Sequence, residues 1–186
     1  MSILKIARMG HPVLRKKARP LEPSEIKSAP IQQLIDDMLE TMAEYRGIGL
    51  AAPQIHAGVR LFVAGLIVEA GEDDERDDAE MKVVTVINPE IKPVGNERSE
   101  DWEGCLSIPD IRGRVVRPNH VKVRGLDRRG HRVEYDVRDY AARVMQHEAD
   151  HLDGVLFLDR MDRLESLTFV EELEKHHRAE REMAER

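Results

Sequence analysis

The chain has 186 residues, with 29 Lys and Arg against 36 Asp and Glu, which gives a formal net charge of −7. This length suits one domain with its own hydrophobic core, and the negative charge argues against binding to DNA or to an anionic membrane surface. No apolar run approaches the roughly 20 residues of a membrane helix, and the single cysteine, Cys105, can form no intrachain disulfide. We therefore expect one cytoplasmic domain over 1–186, with a core over about 1–160 and a helical tail over about 161–186.

The first half of the chain predicts one amphipathic helix and two strands. Within 31–45, apolar residues recur at helical spacing and acidic residues lie opposite them, which predicts the helix. A glycine-bearing segment, GIGLAAPQ at 47–54, follows, and then two segments rich in Val and Ile, 59–70 and 82–91, are short enough to be strands. The acidic run around 71–80 lacks the regular spacing of a calcium-binding loop, so we expect a solvated loop there.

The second half predicts a hairpin followed by two helices. Segment 120–137 alternates on both sides of DRRG, which indicates two antiparallel strands joined by a turn at Gly130. The next helix can begin with Asp139 as its cap and end at Gly154, a position typical of left-handed caps. In the tail we expect a helix whose first half packs and whose second half projects. Its apolar residues recur at helical spacing: Leu164, Leu167, Val170 and Leu173.

The segment QHEADH at 146–151 predicts a metal site. Residues four apart lie on the same face of a helix, so His147 and His151 can both reach one ion, and Glu148 lies beside them to carry protons. A surface helix that carries two histidines by coincidence is the less common alternative. The pattern therefore favours a hydrolytic metal centre.

The third ligand of such a centre is open when the residues are considered alone. A catalytic metal takes about three protein ligands. The metzincin pattern requires a histidine where this chain has Phe157, which excludes that class. A thermolysin-like zinc peptidase would use Glu171 or Glu172 from a later helix. Cys105, in EGCLS at 103–107, would instead complete a set of one cysteine and two histidines.

Three motifs occur in order along the chain: GIGLAAPQ, EGCLS and QHEADH. Together they resemble those of the peptide deformylase family, and MGHPVLRKKARP near the start and RGRVVRPNHV before the hairpin are also similar to it. The resemblance covers about residues 5–160, and LESLTFVEELEKHH is similar to the family's helical-tailed type. It implies an α+β fold of mostly antiparallel sheets around a central metal-binding helix, with a C-terminal helix outside.

The resemblance also implies the reaction and its cofactor. A metal-dependent hydrolase would remove the formyl group from the N-terminal formyl-methionine of newly made polypeptides and release formate. Cys105, His147 and His151 would hold one divalent ion, Fe2+ in the cell, with Zn2+, Ni2+ or Co2+ able to substitute. The partners would be N-formyl-methionyl nascent polypeptides and, through the C-terminal helix, the ribosome near its exit tunnel. The alternatives are the thermolysin-like peptidase and a non-catalytic metal-binding or ribosome-binding protein.

Roles for individual residues follow from the same resemblance. Glu148 would move the proton, while the side-chain amide of Gln54 and the backbone N–H of Leu106 would stabilise the oxyanion. An ion pair between Glu103 and Arg112 would brace the loop that carries Cys105. Other residues would pair with the substrate backbone, flank its groove or form the methionine pocket: Gly47, Ile48, Gly49, Leu50, Tyr140 and Val144.

Overall fold

The computed structural model of this chain describes residues 2–68 and 80–176. The predicted acidic loop, apart from residue 80, and the projecting half of the predicted tail beyond 176 lie outside the described residues.

The described chain combines helices with two antiparallel sheets. The helices are α1 (Pro23–Ile26), α2 (Ala29–Glu44), α3 (Asp139–Leu152) and a C-terminal segment, 170–176. The strands are β1 (Gly49–Ala51), β2 (Leu61–Val68), β3 (Glu80–Pro93), β4 (Arg98–Cys105), β5 (Ile108–Pro118), β6 (His120–Leu126), β7 (Arg132–Arg138) and β8 (Thr168–Phe169). The α+β fold class, the first helix and the two Val- and Ile-rich strands are confirmed.

The larger sheet has five strands in the order β1-β2-β3-β6-β7, and every neighbouring pair is antiparallel. Side chains on β2 alternate between its two faces, as the period of a strand requires. Leu61 and Val63 join the apolar cluster that includes Met38 of α2, while Phe62 packs in the cluster that includes Met145 of α3. The sheet therefore lies between α2 and α3.

The smaller sheet, in the order β4-β5-β8, covers another side of α3. Cys105 at the end of β4 and Val115 of β5 join Leu156 and Phe157 in a third apolar cluster. Helix α3 is buried on most of its circumference because both sheets contact it. Several polar residues of α3 are therefore buried, where polar groups need hydrogen-bond or ion-pair partners.

The ends of α3 confirm one predicted cap and correct the other. The hairpin of β6 and β7 forms as predicted, with Gly130 at φ +80° in its turn. The helix then begins with Arg138 in the N-cap position, so Asp139 is its first helical residue and the predicted Asp139 cap is wrong. Gly154 has φ +74°, which confirms the left-handed cap, and a Cβ there would lie 2.8 Å from the carbonyl carbon of Arg15.

The C-terminal helix begins later than its apolar spacing predicts. Residues 168 and 169 form β8, which pairs with Ile111 and Arg112 of β5, and the helix starts only at 170. Residues 168 and 169 thus pair with the open edge of β5, although the apolar spacing from 164 to 173 predicted a helix there. Leu164 is 67% exposed, so the prediction that the first half of this segment packs is wrong for its first turn. None of the described helices combines the length and apolar character that a membrane crossing needs.

Candidate metal centre

The fold brings the three sequence motifs together at one point. His147 and His151 project from one face of α3 towards Cys105 at the end of β4. One ligand atom from each of these residues can be chosen so that all three lie within 4.8 Å of one another. Two of them, Cys105 Sγ and His151 Nε2, are 3.3 Å apart.

These distances suit a shared metal ion. Bonds of about 2.0 to 2.3 Å to a tetrahedral ion place neighbouring ligand atoms roughly 3.5 Å apart. Burial opposes ionisation of the thiol, but the imidazoles of His151 and His147 outweigh it and lower the pKa of Cys105 well below its ordinary value. The thiolate is the form that binds metal. Both the spacing and the donor set therefore fit a divalent ion.

Glu148 lies beside this group with part of its carboxylate unsatisfied. The residue is 4% exposed, and its Oε2 has no hydrogen-bond partner among the described residues. A Cβ at Gly49 would overlap Glu148 Oε1, so the missing side chain at Gly49 makes room for the carboxylate. Burial raises the pKa of Glu148 to about 7, although His147 and His151 act in the opposite direction. A carboxyl group of this kind can exchange protons at neutral pH.

The Gln54 amide is fixed with its donor end towards the ligand group. The backbone N–H of Ala51 donates to Gln54 Oε1 over 2.8 Å. The opposite end, Nε2, lies 3.4 Å from Cys105 Sγ and 3.3 Å from Ser107 Oγ. Because Oε1 is occupied by a backbone donor, the N–H groups must face the centre.

Glu103 holds the first histidine in place, and the predicted pair with Arg112 is wrong. His147 Nδ1 lies 2.9 Å from Glu103 Oε2, which leaves Nε2 for a metal. Arg117 donates to both carboxylate oxygens, at 2.6 and 2.9 Å, and Arg143 donates at 2.8 Å. The strand register explains the error: Glu103 lies opposite Gly113, so Arg117 shares its face and Arg112 lies on the other.

This ion-pair network continues along α3 towards the surface. Arg117 donates to Asp150 at 2.8 Å, and Asp150 also accepts from Arg160 at 2.6 Å. Arg143 donates to the backbone carbonyls of Val115 and Ser99. Sequence reasoning missed Arg117, Arg143 and Asp150. A signal was present, because residues 143, 147 and 150 follow helical spacing on the face that carries His147.

A groove of about 530 Å³ opens beside Cys105. Four of the residues predicted to contact substrate line it: Gly47, Ile48, Leu106 and Tyr140. Leu50 and Val144 are buried in the two large apolar clusters and are not among its lining residues. Gly49, as described, contacts Glu148.

The two glutamates of the thermolysin-like alternative do not contribute to this centre. Glu171 and Glu172 are exposed on the C-terminal helix, and Glu172 pairs with Lys175 and His176. Among the described residues, the group that could hold a metal consists of Cys105 and the two histidines of α3. The peptidase interpretation is not supported.

Comparison with known proteins agrees with this geometry. The family model described as polypeptide deformylase matches residues 3–167. Peptide deformylase 2 of Nostoc sp. is 44% identical over 161 residues, covering 86% of this chain and 87% of the relative. The peptide deformylase of Leptospira biflexa is 39% identical over 178 residues, covering 94% of this chain and 96% of the relative.

Solved structures show the same similarity. The crystal structure of peptide deformylase from Thermotoga maritima superposes with a TM-score of 0.75 at 39% identity. The match covers 88% of this chain and 100% of the Thermotoga chain. The Met-Ala-Ser-bound class I type b peptide deformylase from Acinetobacter baumannii gives a TM-score of 0.76 at 39% identity, covering 87% and 100% of the two chains.

Replacing the buried carboxylate should destabilise the fold in a pH-dependent way. We expect Glu103→Gln to lower the free energy of unfolding by about 3 kcal/mol at neutral pH, since two buried arginines lose their counter-charge. Burial would raise the pKa of Glu103, but hydrogen bonds from His147 and Arg117 outweigh it and lower this pKa to about 2 from 4.5. The difference between the proteins should therefore shrink as the pH falls from 4.5 towards 2.

Denaturant unfolding of both metal-free proteins between pH 3 and about 7 measures this difference. Glu100→Gln is the matched control, because Glu100 is an exposed β4 carboxylate 3.5 Å from Arg114 and should change stability little. Equal stability of Glu103→Gln and wild type at neutral pH would contradict the role given to Glu103.

Proposed function

This chain belongs to the polypeptide deformylase family, and we propose that Cys105, His147 and His151 hold the metal ion with which it removes the formyl group from nascent polypeptides. The observation that carries the proposal is the convergence of three ligand atoms within 4.8 Å, beside the buried carboxylate of Glu148. The reaction is the hydrolysis of an N-formyl-methionyl peptide to formate and a free amine.

The donor set limits the choice of metal. A thiolate with two imidazoles binds Zn2+ and other divalent transition metals, and we propose Fe2+ in the cell, with Zn2+, Ni2+ or Co2+ able to substitute. When bound, the ion supplies Lewis-acid chemistry that lowers the pKa of water and polarises a carbonyl group. Glu103 orients His147 through Nδ1, so that Nε2 would be the atom that binds the ion.

Glu148 carries the proton through the reaction. Its carboxylate accepts a proton from the attacking water, whose oxygen forms a bond to the formyl carbon. When the bond between this carbon and the methionine nitrogen breaks, Glu148 returns the proton to the leaving amine. The buried position of Glu148 and its open Oε2 support this role.

Gln54 and Leu106 stabilise the charge that develops on the formyl oxygen. The Nε2 group of Gln54 faces the centre because its Oε1 is held by the Ala51 N–H. Leu106 follows Cys105 directly and lines the groove, so its backbone N–H can supply the second hydrogen bond. Donors fixed before the reaction need no reorganisation during it.

The groove accommodates the start of the polypeptide. Gly47, Ile48 and Gly49, with Leu50 behind them, pair with the substrate backbone as an added strand. Tyr140 borders the pocket for the methionine side chain, and Val144 contributes to it only from the apolar cluster in which it is buried. We further propose one cytoplasmic domain that meets nascent chains near the ribosomal exit tunnel and contacts the ribosome through its C-terminal helix.

The ligand set predicts which substitutions lose metal. Cys105→Ala should lose both metal and activity, because two imidazoles alone hold a divalent ion weakly. Glu171→Ala and Glu172→Ala are the controls and should keep both. Metal analysis of anaerobically purified proteins, together with a deformylation assay, measures the outcome. A full metal complement in Cys105→Ala would show that the cysteine is no ligand.

Glu148→Gln should separate metal binding from chemistry. Glutamine keeps the size of the side chain and cannot accept the proton, so the variant should hold metal while kcat falls by about 100-fold or more. Metal content and steady-state kinetics are measured on the same preparation. Wild-type turnover in the metal-loaded variant would remove Glu148 from the mechanism and would favour a non-catalytic role for the site.

Substrate comparison tests the function itself. A formyl carbon carries only hydrogen, so a closely lined site admits it and rejects larger acyl groups by steric clash. We expect formyl-Met peptides to give formate and a free amine, acetyl-Met peptides to react very slowly, and internal peptide bonds to stay intact. Mass spectrometry of the products reports all three. Preferential cleavage of an internal bond would refute the proposal.

A further inference from the structure

The groove beside Cys105 has a positive rim, although the whole chain has a net charge of −7. Its basic lining residues are Lys5, Arg8, Arg46 and Arg112. Within the described part of the chain, Asp110 is the one carboxylate that lines it. The mechanism above uses none of these five side chains, so their charge needs another explanation.

The four basic side chains are available to a ligand. Arg112 Nη1 donates to a backbone carbonyl, that of Ile111, at 3.0 Å. For none of the four does a carboxylate oxygen of the described residues lie within 4.0 Å. Elsewhere the arginines of this chain commonly have such partners, as Arg60 has in Asp153 at 2.7 Å. The groove therefore concentrates cations without their counter-charges.

These cations are attached to the same segments as the reacting groups. The guanidinium of Arg112 packs on Gly104, next to the proposed ligand Cys105, where a Cβ on the glycine would overlap it. Arg46 directly precedes Gly47, where the proposed substrate-pairing segment begins. The positive charge thus lies along the path that the residues after methionine would take.

The N-terminal segment contributes the other two cations, and its backbone is anchored. The N–H of Ala7 donates to the Gln54 carbonyl at 2.7 Å, and that of Met9 donates to the Ser107 carbonyl at 2.8 Å. Lys5 and Arg8 are therefore carried by a stretch that is hydrogen-bonded to two of the three motifs. Both residues line the groove from a segment whose backbone is fixed by these two hydrogen bonds.

We infer that this groove selects formyl-methionyl chains with Asp or Glu side chains at the positions that follow methionine. The inference rests on the proposed function and adds a substrate preference to it. One exposed charge pair changes an affinity by up to about fivefold, and several cations around one groove also raise the encounter rate in a salt-dependent way. For two acidic residues we expect about a tenfold gain in kcat/KM at low salt.

Matched peptides test the inference. The metal-loaded full chain is assayed with formyl-Met-Ala-X-X amides in which X is Glu, Gln or Lys. We expect the order Glu, Gln, Lys, with the preference for Glu over Gln falling to about twofold in half-molar salt because of screening. Equal rates, a reversed order, or a preference that salt does not change would overturn the inference.

A second pair of peptides identifies the source of the carboxylate. The Gln peptide is compared as a free acid and as an amide. A faster rate for the free acid than for the Gln amide, together with no preference among the amides, would assign the cations to the chain end and overturn the side-chain selectivity. A Glu preference that persists among amides supports it.

Substitutions locate the preference within the groove. Arg46→Gln and Arg112→Gln should each lower the ratio of the Glu to the Gln rate by about threefold, the share of one exposed pair. Arg129→Gln removes the same charge from the exposed β6–β7 turn and should leave the ratio unchanged. A ratio that stays the same in both groove variants, or that falls equally in Arg129→Gln, would contradict the assignment.

Failure of the inference and failure of the proposed function have different signatures. Cleavage of the neutral Gln peptide tests deformylation, whereas the Glu-to-Gln ratio tests the preference. Binding of fluorescent Met-Ala-X-X amides without a formyl group, followed by anisotropy, measures the preference even in a preparation without turnover. The same order, Glu, Gln, Lys, is expected there, and equal affinities would refute the preference.

Discussion

The buried carboxylate of Glu103 is the interaction on which the arrangement of the centre depends. It accepts hydrogen bonds from Arg117 of β5, from Arg143 of α3 and from His147. One side chain thus joins β4 and β5 of the smaller sheet to the central helix, and it lies only two residues before Cys105. A buried charge is costly unless it is paired and fully hydrogen-bonded. The sheet and the helix can therefore adopt few relative positions. The same limit applies to the proposed ligands Cys105, His147 and His151, which these elements carry.

The groups proposed to react and the groups proposed to select substrates lie in different surroundings. Glu148 and Gln54 are almost completely buried. The missing side chain at Gly49 makes room for Glu148, and the backbone N–H of Ala51 orients Gln54. The basic residues along the groove are more exposed, as Arg46 is. We therefore expect substitution of the rim residues to leave the buried hydrogen bonds of Gln54 and His147 intact.

Sequence patterns predicted those features that local spacing determines. The helix predicted within 31–45 and observed over 29–44, the hairpin around Gly130 and the pair of histidines follow from periodicity and turn chemistry. The third ligand did not, because spacing alone left Cys105 and two glutamates open until the family resemblance was considered. The partner of Glu103 depends on the register of two strands, and the start of the last helix depends on a free sheet edge. Neither is encoded by neighbouring residues.

The first twenty residues of this chain contact the end of α3 and the residues just after it, which lie far along the sequence. Ala18 N–H donates to the Leu152 carbonyl at 2.8 Å, and the backbone of Arg15 lies against Gly154. Contacts between such distant positions require closure of a long loop, which slows folding. During its own translation the protein must therefore keep its N-terminal segment unpaired until α3 has left the ribosome.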